Sequence, residues 1–132
     1  MRNTLIALAV MACANVVEAA SSLDDCLKLA KTTNDSELCV AADSAVTDAR
    51  LRKTFEYVVT HEEVAEAVQA LRDAQLAWDK FRDLDCSAVS ASYTGTYRGT
   101  AYQECLKSHA VERIKTLESW DPAHFESESN VE

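Results

Sequence analysis

The side chains best suited to chemistry in this sequence are its cysteines. Besides Cys13 in an N-terminal apolar segment, the chain carries Cys26, Cys39, Cys86 and Cys105. In an oxidising compartment four cysteines form two disulfides, for which three pairings exist. The order along the chain favours Cys26 with Cys39 and Cys86 with Cys105, because each pair closes a short local loop. A zinc site is the alternative, but the Cys-x2-Cys spacing typical of such sites is absent.

The other polar side chains do not form a recognisable catalytic motif. The histidines lie outside nucleophile and metal motifs, and the sequence has no Gly-x-Ser-x-Gly elbow, Ser-x-x-Lys pair or glycine-rich phosphate loop. Acidic pairs could imitate the two carboxylates of a glycosidase, although charged helix faces explain them more simply. We therefore predict a protein that is not an enzyme and has no metal or cofactor. The groups considered are His61, His109, His124, Asp24 with Asp25, Glu62 with Glu63, and Asp83 with Asp85.

The start of the chain indicates export. A short cationic end, Met1 to Asn3, precedes an apolar run from Thr4 to Val17, which is the pattern of a secretory signal peptide. We place cleavage after Ala19, so that residues 1–19 are the signal peptide. The run is shorter than the ~20 residues that span a bilayer, which disfavours a transmembrane segment. The protein is therefore expected to be periplasmic or secreted.

Lipoprotein processing is a second route that the sequence leaves open. Val10-Met11-Ala12-Cys13 has a small residue before the cysteine, so that a lipid anchor at Cys13 is an alternative to cleavage after Ala19. A lipid would change the location of the protein and leave its fold unchanged. Either route removes Cys13 from the free thiols.

Charge and length restrict the partners and the number of domains. The chain has 13 basic and 22 acidic residues, a formal net charge of -9, and loss of Arg2 and Glu18 with the signal peptide does not change that charge. Such acidity argues against nucleic acid and anionic membrane surfaces. A mature chain of about 110 residues is enough for one domain with a single core.

Helices dominate the expected architecture. Gly95, Gly99 and Pro122 are the chain's only glycines and proline, so most of the sequence can be helical without a backbone penalty. We predict an all-α fold, a small disulfide-bonded bundle of about four helices in a domain of residues 20–120. Residues 121–132 are acidic and poor in apolar side chains, which predicts a flexible tail.

Capping residues set the expected bounds of the first two helices. Ser22 is expected to cap a helix over residues 23–31, and Ser36 to cap a second helix that reaches about Val59. The segment 32–35 would then separate the two helices.

The third and fourth helices are expected to supply most of the core. Thr60 and Glu63 resemble a capping box that starts the third helix. Apolar residues at three- and four-residue steps then predict one buried face on each helix. On the third helix these residues are Val64, Val68, Leu71, Ala74, Trp78 and Phe81, and on the fourth they are Tyr102, Leu106, Ala110, Ile114 and Leu117.

The most informative stretch is residues 71–86. It reads Leu-x-x-Ala-Gln-x-x-Trp-x-x-Phe-Arg-Asp-x-x-Cys and is followed by a Cys-Leu pair at Cys105 and by Arg113-x-x-x-Leu117. In this order the sequence resembles the N-terminal domain of LprI-type lysozyme inhibitors, and the resemblance covers about Cys26 to Leu117. The resemblance implies a scaffold that spans nearly the whole mature domain.

The sequence departs from that family pattern at three positions. The upstream pattern Asp-x-x-Leu-Asn-x-x-Tyr is met by Asp48 and Leu51, but Arg52 and Phe55 replace the amide and the phenol. Ala110 stands where the family has threonine. These departures bear on the choice of partner more than on the fold.

Within residues 71–86, the characteristic side chains lie along one side of a helix. A stripe of this kind is typical of packing. We expect Trp78 to fill the core, with Arg82 over its ring and paired with Asp85 one turn on. Gln75 is expected to satisfy a backbone group or a helix end.

Arg113 is expected to have a structural role as well. A half-buried arginine needs a partner, so Arg113 should pair with the carboxylate of Asp48 or Asp85. The alternative is that Arg82 and Gln75 recognise a ligand. Because their stripe ends at a structural cysteine, we assign it to the scaffold.

The glycine-bearing segment 93–99 is the best candidate for a contact surface. It is polar, and its ends are held by the expected second disulfide, which suits recognition. Tyrosine and arginine are frequent interface anchors, so Tyr93, Tyr97 and Arg98 are the predicted partner-binding residues. The alternative is that this segment only connects two helices.

The family resemblance implies a function in the cell envelope. It implies a protein partner, a lysozyme-type muramidase, that is bound and inhibited. We expect stoichiometric inhibition, either by steric blocking or by a basic side chain such as Arg98 in the acidic catalytic cleft. The acidity of the chain complements basic lysozymes. The alternatives are a periplasmic immunity or adaptor protein with another partner and, less favoured, a cell-wall hydrolase.

Overall fold

The computed structural model describes residues 22–129 and consists there of helices and their connections. The expected signal peptide and Cys13 lie outside the described residues. The all-α, disulfide-bonded fold class is confirmed, with five helices in the described range. None of them is long and apolar enough to cross a membrane. The helices are α1 (Leu23–Leu29), α2 (Thr33–His61), α3 (Ala65–Ala91), α4 (Tyr97–Glu118) and α5 (Pro122–Ser129).

The boundary between α1 and α2 differs from the prediction. The Ser22 hydroxyl accepts from the Asp25 amide, as expected of the α1 cap, but α1 ends at Leu29. Thr32, and not Ser36, caps α2, because the Thr32 hydroxyl accepts from the Asp35 amide while the Asp35 carboxylate accepts from the Thr32 amide. This reciprocal pair satisfies two amides at once, which a Ser36 cap would leave open.

The predicted capping box at Thr60 is wrong. Thr60 lies inside α2, where its hydroxyl donates to the Glu56 carbonyl at 2.7 Å. The N-cap of α3 is Val64, whose side chain offers no hydrogen bond. The Glu62 carboxylate instead accepts from the Val64 amide at 2.8 Å, so an acidic side chain in the connection takes over part of the capping.

The core lies mainly between α2 and α4, and α3 packs against α4 with much less contact to α2. The predicted face of α4 is confirmed in part, since its last three positions are buried and Tyr102 and Leu106 are half-buried. The predicted face of α3 is wrong in half of its positions: Val64, Ala74 and Phe81 are exposed. The reason is that α3 is an outer helix, which buries only a narrow strip. The buried cluster comprises Leu51, Val58, Val59, Leu71, Ala110, Ile114 and Leu117.

The two disulfides follow the local pairing. Cys26 joins Cys39 across a separation of 13 residues, and Cys86 joins Cys105 across 19 residues. The first bond ties α1, which has no buried residue, to α2. The second ties α3 to α4, and Cys86 is fully buried. The disulfides thus fasten α1 and α3, which bury fewer residues than α2 and α4 do.

Within the segment predicted as a tail, residues 122–129 form α5. Phe125 packs against the core cluster, and the His124 ring stacks on Tyr57 with centroids 3.8 Å apart. The Tyr57 hydroxyl donates to Asp121 at 2.8 Å and thereby lowers the pKa of that carboxyl. Because the ionised form is stabilised, this support is present above the ordinary carboxyl pKa and is lost as the pH falls through the lowered one.

Candidate functional site

Trp78 lies beneath two guanidinium groups. Its ring is half-buried against the core, with the Arg82 Cζ atom 5.3 Å and the Arg113 Cζ atom 6.0 Å from the ring centroid. Both distances are within the range of a cation–π contact. The position of Arg82 over Trp78 is the one that the helical spacing predicted.

Arg82 connects three helices. Its side chain donates from Nη2 to Asp48 Oδ1 at 2.7 Å and from Nε to the Leu106 carbonyl at 3.1 Å, and the residue is 8% exposed. The predicted pairing with Asp85 is therefore wrong. Asp48 lies on α2 and Leu106 on α4, so Arg82 points between these helices and away from its own neighbour one turn on. The contacts make Arg82 a structural clamp.

Asp85 pairs with a histidine of α4. Its carboxylate lies 2.8 Å from His109 Nε2, and the Phe81 ring meets the imidazole edge-on. Ring nitrogens of His109 and the sulfurs of Cys86 and Cys105 also lie within 4.8 Å of one another. Because both sulfurs belong to a disulfide, neither supplies the thiolate that a metal needs.

Arg113 does not reach either carboxylate predicted for it. Its Nε donates to Gln75 Oε1 at 3.1 Å, and the amide group of Gln75 donates to Asp79 at 3.0 Å. Gln75 therefore bridges two side chains instead of satisfying a backbone group or helix end. Burial lowers the pKa of Arg113, while the nearby Asp79 carboxylate opposes that shift. Within the described residues, the buried Nη2 of Arg113 has no hydrogen-bond partner.

These side chains border a cleft between α2 and α3 of about 330 Å³. The cleft was not predicted from the sequence, although both halves of the family pattern meet here, including the two upstream positions that depart from that pattern. Asp48 and Arg82 of the cleft pair with each other and Asp79 accepts from Gln75, so we assign the cleft to the scaffold. The lining residues are Asp48, Leu51, Arg52, Phe55, Gln75, Asp79 and Arg82.

The predicted loop is shorter than the sequence suggested. α3 ends at Ala91 and α4 begins at Tyr97, so that only residues 92–96 connect them. Gly95 has a φ of 73°, the left-handed region that glycine adopts most readily. Gly99 lies inside α4, where an added Cβ would lie 2.0 Å from Glu37 Oε1. Gly99 therefore lies within a helix and faces the flexible carboxylate end of Glu37 on α2.

The three predicted contact residues lie together at this end of the molecule. The rings of Tyr93 and Tyr97 meet edge-on with centroids 5.2 Å apart, and both residues are exposed. The Tyr97 hydroxyl donates to Glu104 at 2.6 Å, which raises the pKa of the tyrosine. Arg98 is exposed, and no carboxylate among residues 22–129 forms an ion pair with it. The end of the α3–α4 hairpin thus presents the rings of Tyr93 and Tyr97 and the guanidinium of Arg98 to a partner.

Comparison with known families gives a match that covers most of the chain. The model described as lysozyme inhibitor LprI matches residues 13–117. The chain belongs to the LprI family. No curated protein and no solved structure gives a significant match.

The match to the LprI family places the helical scaffold within a known group. It ends at Leu117, a fully buried residue near the end of α4, so α5 lies beyond the matched region. The description of this family is that of lysozyme inhibitors. Together with the two disulfides, membership of the family indicates an extracytoplasmic protein.

Proposed function

We propose that the protein inhibits a lysozyme-type muramidase by binding it one to one outside the cytoplasm. The observation that carries this proposal is the LprI family match over residues 13–117. Export by a signal peptide over residues 1–19, or anchoring by a lipid on Cys13, would bring the protein to the compartment in which muramidases act.

The contact surface in this proposal is the end of the α3–α4 hairpin. Tyr93 and Tyr97 supply a large, rigid apolar area at a small cost in side-chain entropy, and the Cys86–Cys105 disulfide restrains the hairpin before binding. Because a preorganised surface loses less freedom on association, it supports tighter binding than a mobile loop of the same composition would.

Electrostatic attraction supports the proposal both at long range, through the net charge, and at short range, through one side chain. The net charge of -9 attracts a basic enzyme and accelerates the encounter. At short range the charges are the other way round. The basic Arg98 of this protein meets the two carboxylates that glycosidases hold at their catalytic site. A guanidinium placed between those carboxylates would block substrate and hold both groups ionised, which removes the general acid.

We expect Tyr97→Ala and Arg98→Ala each to weaken inhibition by about 1 kcal/mol or more, roughly five-fold or more in the inhibition constant. The midpoint of thermal unfolding should remain nearly unchanged, because both side chains are exposed. For the wild type, inhibition should also weaken as salt rises, since the attraction is screened. The measurement is lysis of cell walls by a lysozyme with each protein at low and high salt.

The matched control is Arg72→Ala, which removes one exposed arginine from α3 at the other end of that helix. This control should inhibit as the wild type does. Equal inhibition by all four proteins would place the contact surface elsewhere on the molecule. No inhibition by the wild type, together with capture of a different envelope protein, would favour an immunity or adaptor protein.

A further inference from the structure

The outer face of α3 is apolar and mostly uncovered within the described chain, although the Phe81 ring meets His109 of α4 edge-on. It carries four small and two large apolar residues, and Phe81 and Leu84 at its middle are 54% and 61% exposed. The face borders α4 at Phe81, and both of its large side chains keep more than half of their surface exposed. What distinguishes this face is that its exposed apolar residues are contiguous along the helix, as on surfaces that bind another molecule. This outer face consists of Ala70, Ala74, Ala77, Phe81, Leu84 and Ala88, all of them exposed.

The spacing along this face is that of a helix-pairing seam. Its residues follow one another at alternating steps of four and three, which is the a and d pattern of a coiled coil. The buried residues Leu71, Arg82 and Cys86 lie on a different side of the helix. Apart from the edge-on contact of Phe81 with His109, the pattern therefore does not arise from the packing of α3 in its own bundle.

The seam is complementary in shape to a second copy of itself that runs in the opposite direction. The six positions are symmetric about the level of Asp79, so that an antiparallel copy would place Ala77 opposite Phe81 and Ala74 opposite Leu84. Each large side chain then meets a small one, which is the condition for close interdigitation of two helices. A second copy of the chain meets this condition by its own sequence.

We propose that the outer face of α3 binds the same face of a second copy of the chain, antiparallel and about a two-fold axis at the level of Asp79. A self-complementary surface of this kind is what a two-fold dimer requires. Because the helices run in opposite directions, the two hairpin ends lie at opposite ends of the dimer. Both would remain accessible to an enzyme, so the proposal is independent of lysozyme binding.

The expected dimer is weak and depends on salt. From Ala70 to Ala88 the seam is about 27 Å long, a short helix pair at the lower end of interface sizes. Two copies that each carry a charge of -9 also repel one another, and the two Lys80 side chains approach each other beside the seam. Screening reduces this repulsion, so association should strengthen with salt, whereas binding of a basic lysozyme should weaken.

The test is sedimentation equilibrium of the mature protein at high salt, from about 10 μM to about 1 mM, where transient complexes of this size dissociate. The mean mass of the wild type should rise toward twice the monomer mass. Ala77→Glu should remain monomeric, because it places a carboxylate opposite Phe81. The matched control Ala65→Glu makes the same change at an exposed position on another side of α3 and should dimerise as the wild type does.

Cross-linking tests the orientation. A mixture of Ala74→Cys and Leu84→Cys proteins should form a disulfide-linked dimer, whereas each variant alone should not, since its own copies lie about 15 Å apart along the axis. Three results would overturn the proposal: a monomeric wild type at every concentration, equal dimerisation of the two glutamate variants, or linkage of each cysteine variant to itself. Loss of lysozyme inhibition by monomeric Ala77→Glu would show instead that this face binds the enzyme.

Discussion

Asp48→Ala is expected to lower the free energy of unfolding by about 3 kcal/mol, because it leaves a buried guanidinium without its counterion. Arg82 is 8% exposed, and its Nη2 lies 2.7 Å from Asp48 Oδ1. This loss is at the lower end of the range for removing one partner of a buried ion pair. The reason is that the Asp48 side chain is 30% exposed, so that water can take part of its place. The measurement is urea unfolding at neutral pH, read from the shift of the midpoint at constant slope.

The matched control for this change is Asp73→Ala. Asp73 is exposed on α3 and accepts a hydrogen bond from Gln69, so its loss should cost less than about 0.5 kcal/mol. The double variant Asp48→Ala with Arg82→Met should recover part of the stability, because no buried charge remains. Equal effects of the two aspartate variants would contradict the role of Arg82 as a clamp between α2, α3 and α4.

Trp78→Ala is expected to lower the free energy of unfolding by about 3 kcal/mol. The indole fills the space between the core cluster and the guanidiniums of Arg82 and Arg113, and alanine would leave a cavity beneath two charges. The expected loss is at the lower end for tryptophan, since Trp78 is only half-buried. The measurement is thermal and urea unfolding followed by circular dichroism.

Trp120→Ala provides the comparison. Trp120 is 49% exposed and lies after the end of α4, so the same substitution there should cost less than about 1 kcal/mol. A loss at Trp78 no larger than the loss at Trp120 would show that the stripe on α3 does not support the core. Both variants should retain inhibition well below their melting temperatures, because these positions belong to the scaffold.

Much of the fold could be predicted from the sequence because its determinants are local. The rarity of glycine and proline predicts helices, and the order of the cysteines predicts which helices are joined. Boundaries were less accurate, since several hydroxyl residues compete to cap the same end: Thr32 serves where Ser36 was expected, and Thr60 lies within α2. α5 was missed because its stability comes from Tyr57, which is distant in sequence.

The candidate site shows the same division between local and distant contacts. The position of Arg82 over Trp78 follows from helical spacing, since the two residues are four apart. The carboxylate that Arg82 binds could not be predicted, because Asp48 is 34 residues away and the choice between Asp48 and Asp85 depends on how α2 crosses α3. The same holds for Arg113, which contacts Gln75 across helices. Spacing predicts a face, but not the partner that the face will meet.

One-to-one inhibition of a lysozyme is tested most directly by titrating a fixed amount of the enzyme with the mature protein. The enzyme concentration should be well above the dissociation constant, so that the activity reports the number of enzyme molecules bound. Stoichiometric inhibition predicts a linear loss of activity that is complete at about one equivalent. Full inhibition by a small fraction of an equivalent would contradict the claim by indicating catalysis, and undiminished activity at a large excess would contradict lysozyme binding itself.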